Sequence, residues 1–518
     1  MINFKPNVLA IGSGPFLISL ISALLASGAT KIHVLISGSV PTDRQRMLER
    51  VAHSRKIDPE ITIEEVTLEK EGERGWREAL RPFESILYVS QEGNIEELRM
   101  LHAICKEEKK LFLPGVGLQQ VGLAGPLVHH DDEGCWESAF RRFHESAIYK
   151  DPQRHNFSST AGAMLANVVV FQLLKKMTAA NDAVQRNQFF LLNLETLEGN
   201  WHSFLPHPLV NRRVAAEWIH DFELQFERRS SKVESGLLPY FGRLTSAESG
   251  IFHLWEEGDL KQLPLAQCRV QAVDPLSEGP AKLMTDMICA DLTHEGARRE
   301  AGLTGIEVYV SRMAGLLGQE EFIGVGAGET VAEGIGRGLQ RSLAELLDKR
   351  QAHQLPAVFR VQLSTIEDKY CRFYLQALTT MKGAPMIGLG EELYGFPVIW
   401  VGTSDRWYGC AGLNITVALR DALQQALMEA QNILASPTSK VLEVPAVHLA
   451  EQLPFSVEIP SCDVTLQTND LQSAVQVLER NSKRLLVLDL AVEPFLKEEI
   501  AGVFGVLLRN NGEKRPRI

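Results

Sequence analysis

The residues with the clearest chemical signature lie near the start of the chain, in Gly12-Ser13-Gly14-Pro15. Asn7-Val8-Leu9-Ala10-Ile11 before them reads as a buried strand. Phe16 to Ser27 after them reads as an apolar helix, with Pro15 near its first turn and Gly28 as its stop. Lys31-Ile32-His33-Val34-Leu35-Ile36 is a second strand. A glycine turn between strand and helix lets backbone N–H groups approach a phosphate at the helix N-terminus, so Gly12 and Gly14 are candidate nucleotide-binding residues. The dinucleotide fingerprint is incomplete. Leu17 stands where its third glycine belongs, and Ser37-Gly38-Ser39 where a ribose-binding acid would be. An oxidoreductase using nicotinamide or flavin rests on this turn alone. His129-His130-Asp131-Asp132 is the densest set of metal-ligand types, but four consecutive side chains diverge, which favours a solvated loop. No nucleophile elbow occurs, and no Ser-His-Asp or Cys-His set follows from spacing, so no catalytic residue and no metal ligand is assigned.

The elements that must position these residues belong to a chain of 518 residues, enough for two or three α/β domains. Its 53 Lys+Arg against 65 Asp+Glu leave a formal charge of −12, which disfavours nonspecific nucleic-acid binding. The seven cysteines (Cys105, Cys135, Cys268, Cys289, Cys371, Cys410, Cys462) are scattered, odd in number and without a CxxC pair, which suits a reducing cytoplasm. Pro6 to Thr30 carries no charge and invites a signal-peptide or membrane reading, but Gly12 to Pro15 would interrupt such a helix, so no membrane partner is expected.

Further on, Val214 to Arg229 reads as a charged amphipathic helix and Ser230-Ser231-Lys232-Val233-Glu234-Ser235-Gly236 as a linker. Three regions follow: residues 1–230, a second α/β (α+β) domain over 237–440, and a C-terminal αβ segment over 441–518 packed on the second domain. In that segment Asp470 to Asn481 is a helix and Arg484 to Leu490 a strand. The second domain carries an echo, LQxxLxE, at Leu339 to Glu345 and at Leu423 to Glu429, each in a helix after a glycine-bearing turn and an apolar strand. This predicts two related αβ units. Thr330 with Glu333 makes a capping box for the first of these helices. Gly334, Gly336 and Gly338 inside it are expected to allow close packing on a neighbour, since no lysine follows in Walker spacing.

Asp43-Arg44-Gln45-Arg46 follows the second strand, Asp58-Pro59 opens an alternating third strand to Val66, and Ser85 to Ser90 supplies a fourth. This order resembles the ThiF/MoeB-like adenylating domain, whose post-strand segment carries an Arg-Gln pair. Gly125 to Ser138 resembles the zinc-half-site region of that superfamily. With Ser203 to Pro208, Gly242 to Ser246 and Arg406 to Gly409, the chain resembles the thiazole-containing bacteriocin maturation proteins, ThiF-like partners of YcaO cyclodehydratases.

The resemblance implies a Rossmann-like ThiF-type domain and adds Arg44 and Gln45 to Gly12 and Gly14 as a vestigial ATP site. It also implies a tetrahedral zinc on two cysteine pairs. Here only Cys135 remains, with Ser138 in its partner's place and His207-Pro208-Leu209-Val210-Asn211 where the second pair belongs, so zinc is not expected. Gly324 to Leu346 resembles the YcaO segment whose glycine turn leads into a helix of magnesium-binding glutamates. Here that face offers Arg337, Gln340 and Arg341, with only Glu345 acidic, as in a degenerate YcaO-like domain.

The function implied is that of an accessory partner in maturing a thiazole/oxazole-modified ribosomal peptide. It would bind precursor peptide and a YcaO-type cyclodehydratase, without independent catalysis and with homo-oligomers allowed. A working ATP-dependent adenylating enzyme is the alternative. The resemblance places a peptide-binding winged-helix module before the first strand. Only seven residues precede that strand here, as in a shortened or divergent form.

Overall fold

The computed structural model describes residues 7–70, 72–129, 134–148, 157–178, 187–211, 216–226, 236–317, 322–352, 354–432, 440–451, 453–463 and 465–513. His130 to Glu133, most of the expected linker and the basic tail after Glu513 lie outside these residues. The fold is mixed α/β, in two compact units: residues 1–212 with 247–250 and 277–282, and residues 213–246, 251–276 and 283–518.

In the first unit, strands and helices alternate as β1 (Val8–Gly12), α1 (Gly14–Ala26), β2 (Lys31–Ile36), α2 (Arg44–Arg55), β3 (Thr62–Glu65), α3 (Gly72–Leu80), β4 (Ser85–Ser90), α4 (Ile95–Glu107) and β5 (Leu111–Leu118). After β6 (Val121–Ala124), α5 (Trp136–Arg142), α6 (Glu145–Ile148), α7 (Ser159–Thr178), β7 (Gln188–Asn193), β8 (Gly199–Ser203) and α8 (Pro208–Asn211), the sheet order is β3-β2-β1-β4-β5-β6-β7-β8. The strands from β3 to β5 run parallel and the last three are antiparallel additions. The strand order reverses between β1 and β4, where ligands of open α/β sheets bind. β1 is buried along its length because both sheet faces are covered. Phe16, Leu17, Leu165 and Val169 of α1 and α7 pack on one face, and Leu98, Leu101, Trp136 and Phe140 of α4 and α5 on the other. The charge-free run is therefore β1 and α1. Among the described residues no helix is long and apolar enough to cross a membrane.

The second unit holds β9 (Glu217–Ile219), α9 (Leu237–Leu244), β10 (Phe252–Glu256), β11 (Ala266–Ala272), β12 (Met287–Asp291), α10 (His294–Ala314), β13 (Gly324–Gly328), α11 (Val331–Gln351), β14 (Ala357–Ile366), α12 (Lys369–Lys382) and β15 (Met386–Leu389). It continues through β16 (Val398–Gly402), β17 (Trp407–Ala411), α13 (Ile415–Gln431), β18 (Leu442–Val444), β19 (His448–Leu449), β20 (Phe455–Ile459), α14 (Thr468–Arg480), β21 (Lys483–Asp489) and β22 (Gly502–Asn510). Three sheets result: β10-β11-β12, β13-β22-β21-β9, and β18-β17-β16-β15-β14-β19 with β20 also beside β14.

The helix expected over Val214 to Arg229 is replaced, in its described part, by strand β9 and a single 3₁₀ turn at Phe222–Gln225. β9 pairs antiparallel with Val487 to Asp489 of β21, and Ile219 packs against the adjacent core. That pairing outweighs a helical spacing of weak propensity.

The capping box on α11 forms only in part. Thr330 Oγ1 accepts from Glu333 N at 3.1 Å, but the Glu333 carboxylate accepts from Glu329 N, one residue before the cap. The glycines of α11 and β13 leave no room for side chains. A Cβ on Gly326 would lie 2.2 Å from Gly334 O, and on Gly324 2.2 Å from Gly338 O. On Gly334, Gly336 and Gly338 it would meet Phe504, Leu466 and Val506 within 2.8 Å. Strand and helix thus touch backbone to backbone. Gly326→Ala should destabilise the second unit by about 3 kcal/mol, because backbone has to move to admit the methyl group. Gly242→Ala, whose Cβ would meet nothing within 4 Å, should be near neutral in the same urea titration.

Candidate functional site

In the first unit, Gly12 and Gly14 form the expected turn between β1 and α1, but the chain covers it with its own atoms. Gly14, at φ +62°, donates its N–H to Thr42 Oγ1 at 2.8 Å. A Cβ on Gly14 would meet Val40 Cγ1 at 2.6 Å. The N–H most suited to a phosphate is therefore occupied. Ser37 and Ser39, which stand where a ribose acid would, donate to Glu97 and Glu92. Arg44 and Gln45 open α2 behind the Asp43 cap and point elsewhere. Arg44 Nη2 pairs with Glu65 of the edge strand β3 at 2.6 Å, and Gln45 Nε2 donates to Glu49 on its own helix at 3.2 Å. The four candidate residues share one end of the sheet without converging on one point through their bonds.

The half-site region closes by hydrogen bonds. Cys135 Sγ lies 3.8 Å from Ser138 Oγ, and His207 N donates to Ser138 Oγ at 3.0 Å. Both side chains are buried. One turn on, the buried Arg142 guanidinium donates from Nε to Leu205 O at 3.1 Å and from Nη2 to Pro206 O at 3.3 Å. The hydroxyl and guanidinium of α5 thus hold the 205–207 strap, the segment that a second cysteine pair would secure. One thiol beside a hydroxyl does not fit tetrahedral zinc.

A dense group of buried charge lies in the second unit, around a cavity of about 400 Å³. Its walls come from β12, α10, α11, α12 and α13 and the segments around Lys440 and Asp463. Every cation on this wall is already paired. Arg337 donates to Glu307 and, at 2.6 Å, to Glu300. Lys440 Nζ meets Glu300 at 2.9 Å and Arg341 meets Glu307 at 3.2 Å. Arg299 pairs with Glu329 and Glu333, and Arg420 with Asp368 at 2.6 Å. Burial pushes the Glu300 carboxyl up, but Arg337 and Lys440 outweigh it and hold the group well below the ordinary 4.5. Glu307 is likewise held down, with Arg337 and Arg341 offsetting its burial. Among the described residues no group of three or more His, Cys, Asp or Glu is disposed to hold a metal ion.

The face of α11 expected to carry Arg337, Gln340 and Arg341 does line this cavity. The acid beside them is Glu333, one turn earlier; Glu345 lines a smaller cavity with Glu307 and Arg341. The register that aligns Leu339 with Leu423 also matches Arg337 to Asp421, Gln340 to Gln424 and Arg341 to Gln425, and all six line the one cavity. Sequence reasoning missed Asp291, Glu300, Glu307, Arg420, Asp421 and Lys440. The usable signal was Glu300 and Glu307, two helical turns apart and so on one face of α10, opposite Arg337 and Arg341 at i, i+4.

A carboxyl whose folded pKa lies below its unfolded value contributes stability above that unfolded value and loses it as pH falls through the folded one. The unfolding midpoint of the second unit should therefore decline as pH drops below 4.5, through Glu300 and Glu307. Glu307→Gln should cost about 3 kcal/mol at neutral pH, because it leaves Arg337 and Arg341 undercompensated. It should also flatten that acid limb in urea titrations run across pH.

Neither a protein-family model nor a curated protein matches the chain. Among solved structures it is similar to the heterocyclase TruD, at 13% identity over 98% of this chain and 79% of that one, with a TM-score of 0.51. It is similar also to a heterocyclase in complex with substrate and cofactor, at 11% identity over 98% of this chain and 81% of that one, with a TM-score of 0.56. E. coli MccB overlaps 38% of this chain and 63% of its own at 11% identity, with a TM-score of 0.31, which carries no argument. At these identities the likeness to the two heterocyclases is one of fold.

Proposed function

We propose that the chain is a noncatalytic partner in the maturation of a thiazole/oxazole-modified ribosomal peptide. It binds the precursor and a YcaO-type cyclodehydratase, which closes Cys, Ser or Thr side chains onto the backbone with its own ATP. In this reading the first unit is a Rossmann-like ThiF-type fold whose nucleotide turn, with Gly12, Gly14, Arg44 and Gln45, is vestigial. The second is a degenerate YcaO-like domain of two related αβ units completed by residues 441–518, and the protein works in the cytoplasm. The fold shared with two heterocyclases over 98% of the chain supports a place beside that chemistry.

One observation carries the choice of partner over enzyme. All five cations on the wall of the second-unit cavity are bonded to the chain's own carboxylates. A triphosphate needs cations to offset its charge, and its magnesium needs carboxylates to hold it. Here the cations are already neutralised by the chain's own carboxylates, so a triphosphate would find none to spare. The Gly14 N–H held by Thr42 argues in the same direction for the first unit.

Reconstitution tests the reading. Adding the chain to a cyclodehydratase and its precursor should raise the rate of ring formation at least about tenfold, a difference of about 1.4 kcal/mol in barrier. The chain with precursor alone should consume no ATP and catalyse no pyrophosphate exchange. Equal rates with and without the chain would sink the proposal, as would ATP turnover by the chain alone.

A further inference from the structure

The same cavity holds groups that its internal pairing leaves over. Asp421 of α13 lines it and, among the described residues, makes no hydrogen bond or ion pair. Asp291, at the end of β12, lines it too and accepts only from backbone, including Leu292 N. Among the described residues neither carboxylate forms an ion pair with any of the five basic side chains that share the wall, although Lys440 and Arg420 act on Asp421, and Arg299 on Asp291, through their charge. Gln340 is 8% exposed and lines the cavity, and among the described residues its amide has no hydrogen-bond partner. Its amide faces the cavity, where a ligand could bond it.

The sign of that ligand follows from charge. The basic residues are spent on Glu300, Glu307, Glu329, Glu333 and Asp368, so an anion would meet no uncompensated cation. The carboxylates of Asp291, Asp421, Glu295 and Asp463 remain on the wall, and of these Asp291 and Asp421 lie close enough to Tyr374 for their charge to act on its phenol. Burial raises both carboxyls above their ordinary value, and the charges of Lys440 and Arg420 near Asp421, and of Arg299 near Asp291, offset only part of that shift. Apolar wall is present as well, from Val417, Met428 and Val441.

We propose that this cavity binds a small alkylammonium, its charged nitrogen seated against Asp291 and Asp421, with the Gln340 carbonyl accepting a hydrogen bond and the apolar wall taking the methylenes. A bare metal ion would use none of the apolar wall, and a nucleotide would need the cations that are already committed. The inference deepens the proposed function at its own cavity. It is read by binding and not by ring formation, so the two stand or fall separately.

Calorimetric titration of the full chain with 1,4-diaminobutane at fixed ionic strength is the test, with magnesium ATP in a parallel arm. One diamine per chain should bind, and Asp421→Asn and Asp291→Asn should each weaken binding at least about tenfold, the loss of one charged contact. Circular dichroism melts identify a variant that has failed to fold. The other variant and the wild-type titration then decide. Absence of saturable diamine binding by the wild type would overturn the proposal. So would folded variants that bind as the wild type does, or magnesium ATP that displaces the diamine.

Discussion

The Glu307 carboxylate ties together a strand and two helices. Its Oε1 accepts from Ala327 N of β13 and from Arg337 Nε, and its Oε2 from Arg337 Nη2 and Arg341 Nη2 of α11. Burying such a charge is costly, and the cost is recovered only while every partner stays in place. α10, β13 and α11 are consequently locked in one arrangement. The wall of the cavity inherits its shape from that lock, because Arg337 and Arg341 hold their positions through the same acid. Arg337 also passes the constraint on to Glu300 and, through it, to Lys440 at the far side.

Close contact between β13 and α11 is the geometric counterpart of this electrostatic lock. A salt bridge between neighbouring elements tolerates a range of separations, but glycine against glycine does not. With backbone atoms of Gly334 and Gly338 where the Cβ of Gly326 would be, the helix lies as near to the strand as a polypeptide can approach. This brings the Arg337 stem within reach of Glu307 while both remain buried.

Local pattern made much of the architecture legible. β2 and β4 occupy Lys31–Ile36 and Ser85–Ser90 as their apolar runs predict, and α14 and β21 lie within two residues of expectation. These elements are set by near neighbours: a cap, a glycine stop, an apolar alternation. Strand β9 was not legible, since its partner Val487 to Asp489 lies hundreds of residues away and nothing in Glu217 to Ile219 announces it. The cavity was legible by halves. Arg337, Gln340 and Arg341 stand on one face by helical spacing alone. The acids that neutralise two of them sit on α10, and Lys440 and Asp368 come from later segments, so their meeting depends on topology. The turn at Gly12 was read correctly as a turn, yet its covering by Thr42 depends on a loop whose path no periodicity describes.

The strap held by Ser138 and Arg142 differs from a metal clasp in what it asks of its surroundings. Thiolate ligands are exchangeable and oxidisable, and a site built on them closes only when its ion is supplied. A hydroxyl and a guanidinium bonded to backbone close as soon as the chain is in register, at any zinc concentration and in any redox state. The first unit thus holds this junction by bonds that do not respond to metal supply or oxidation.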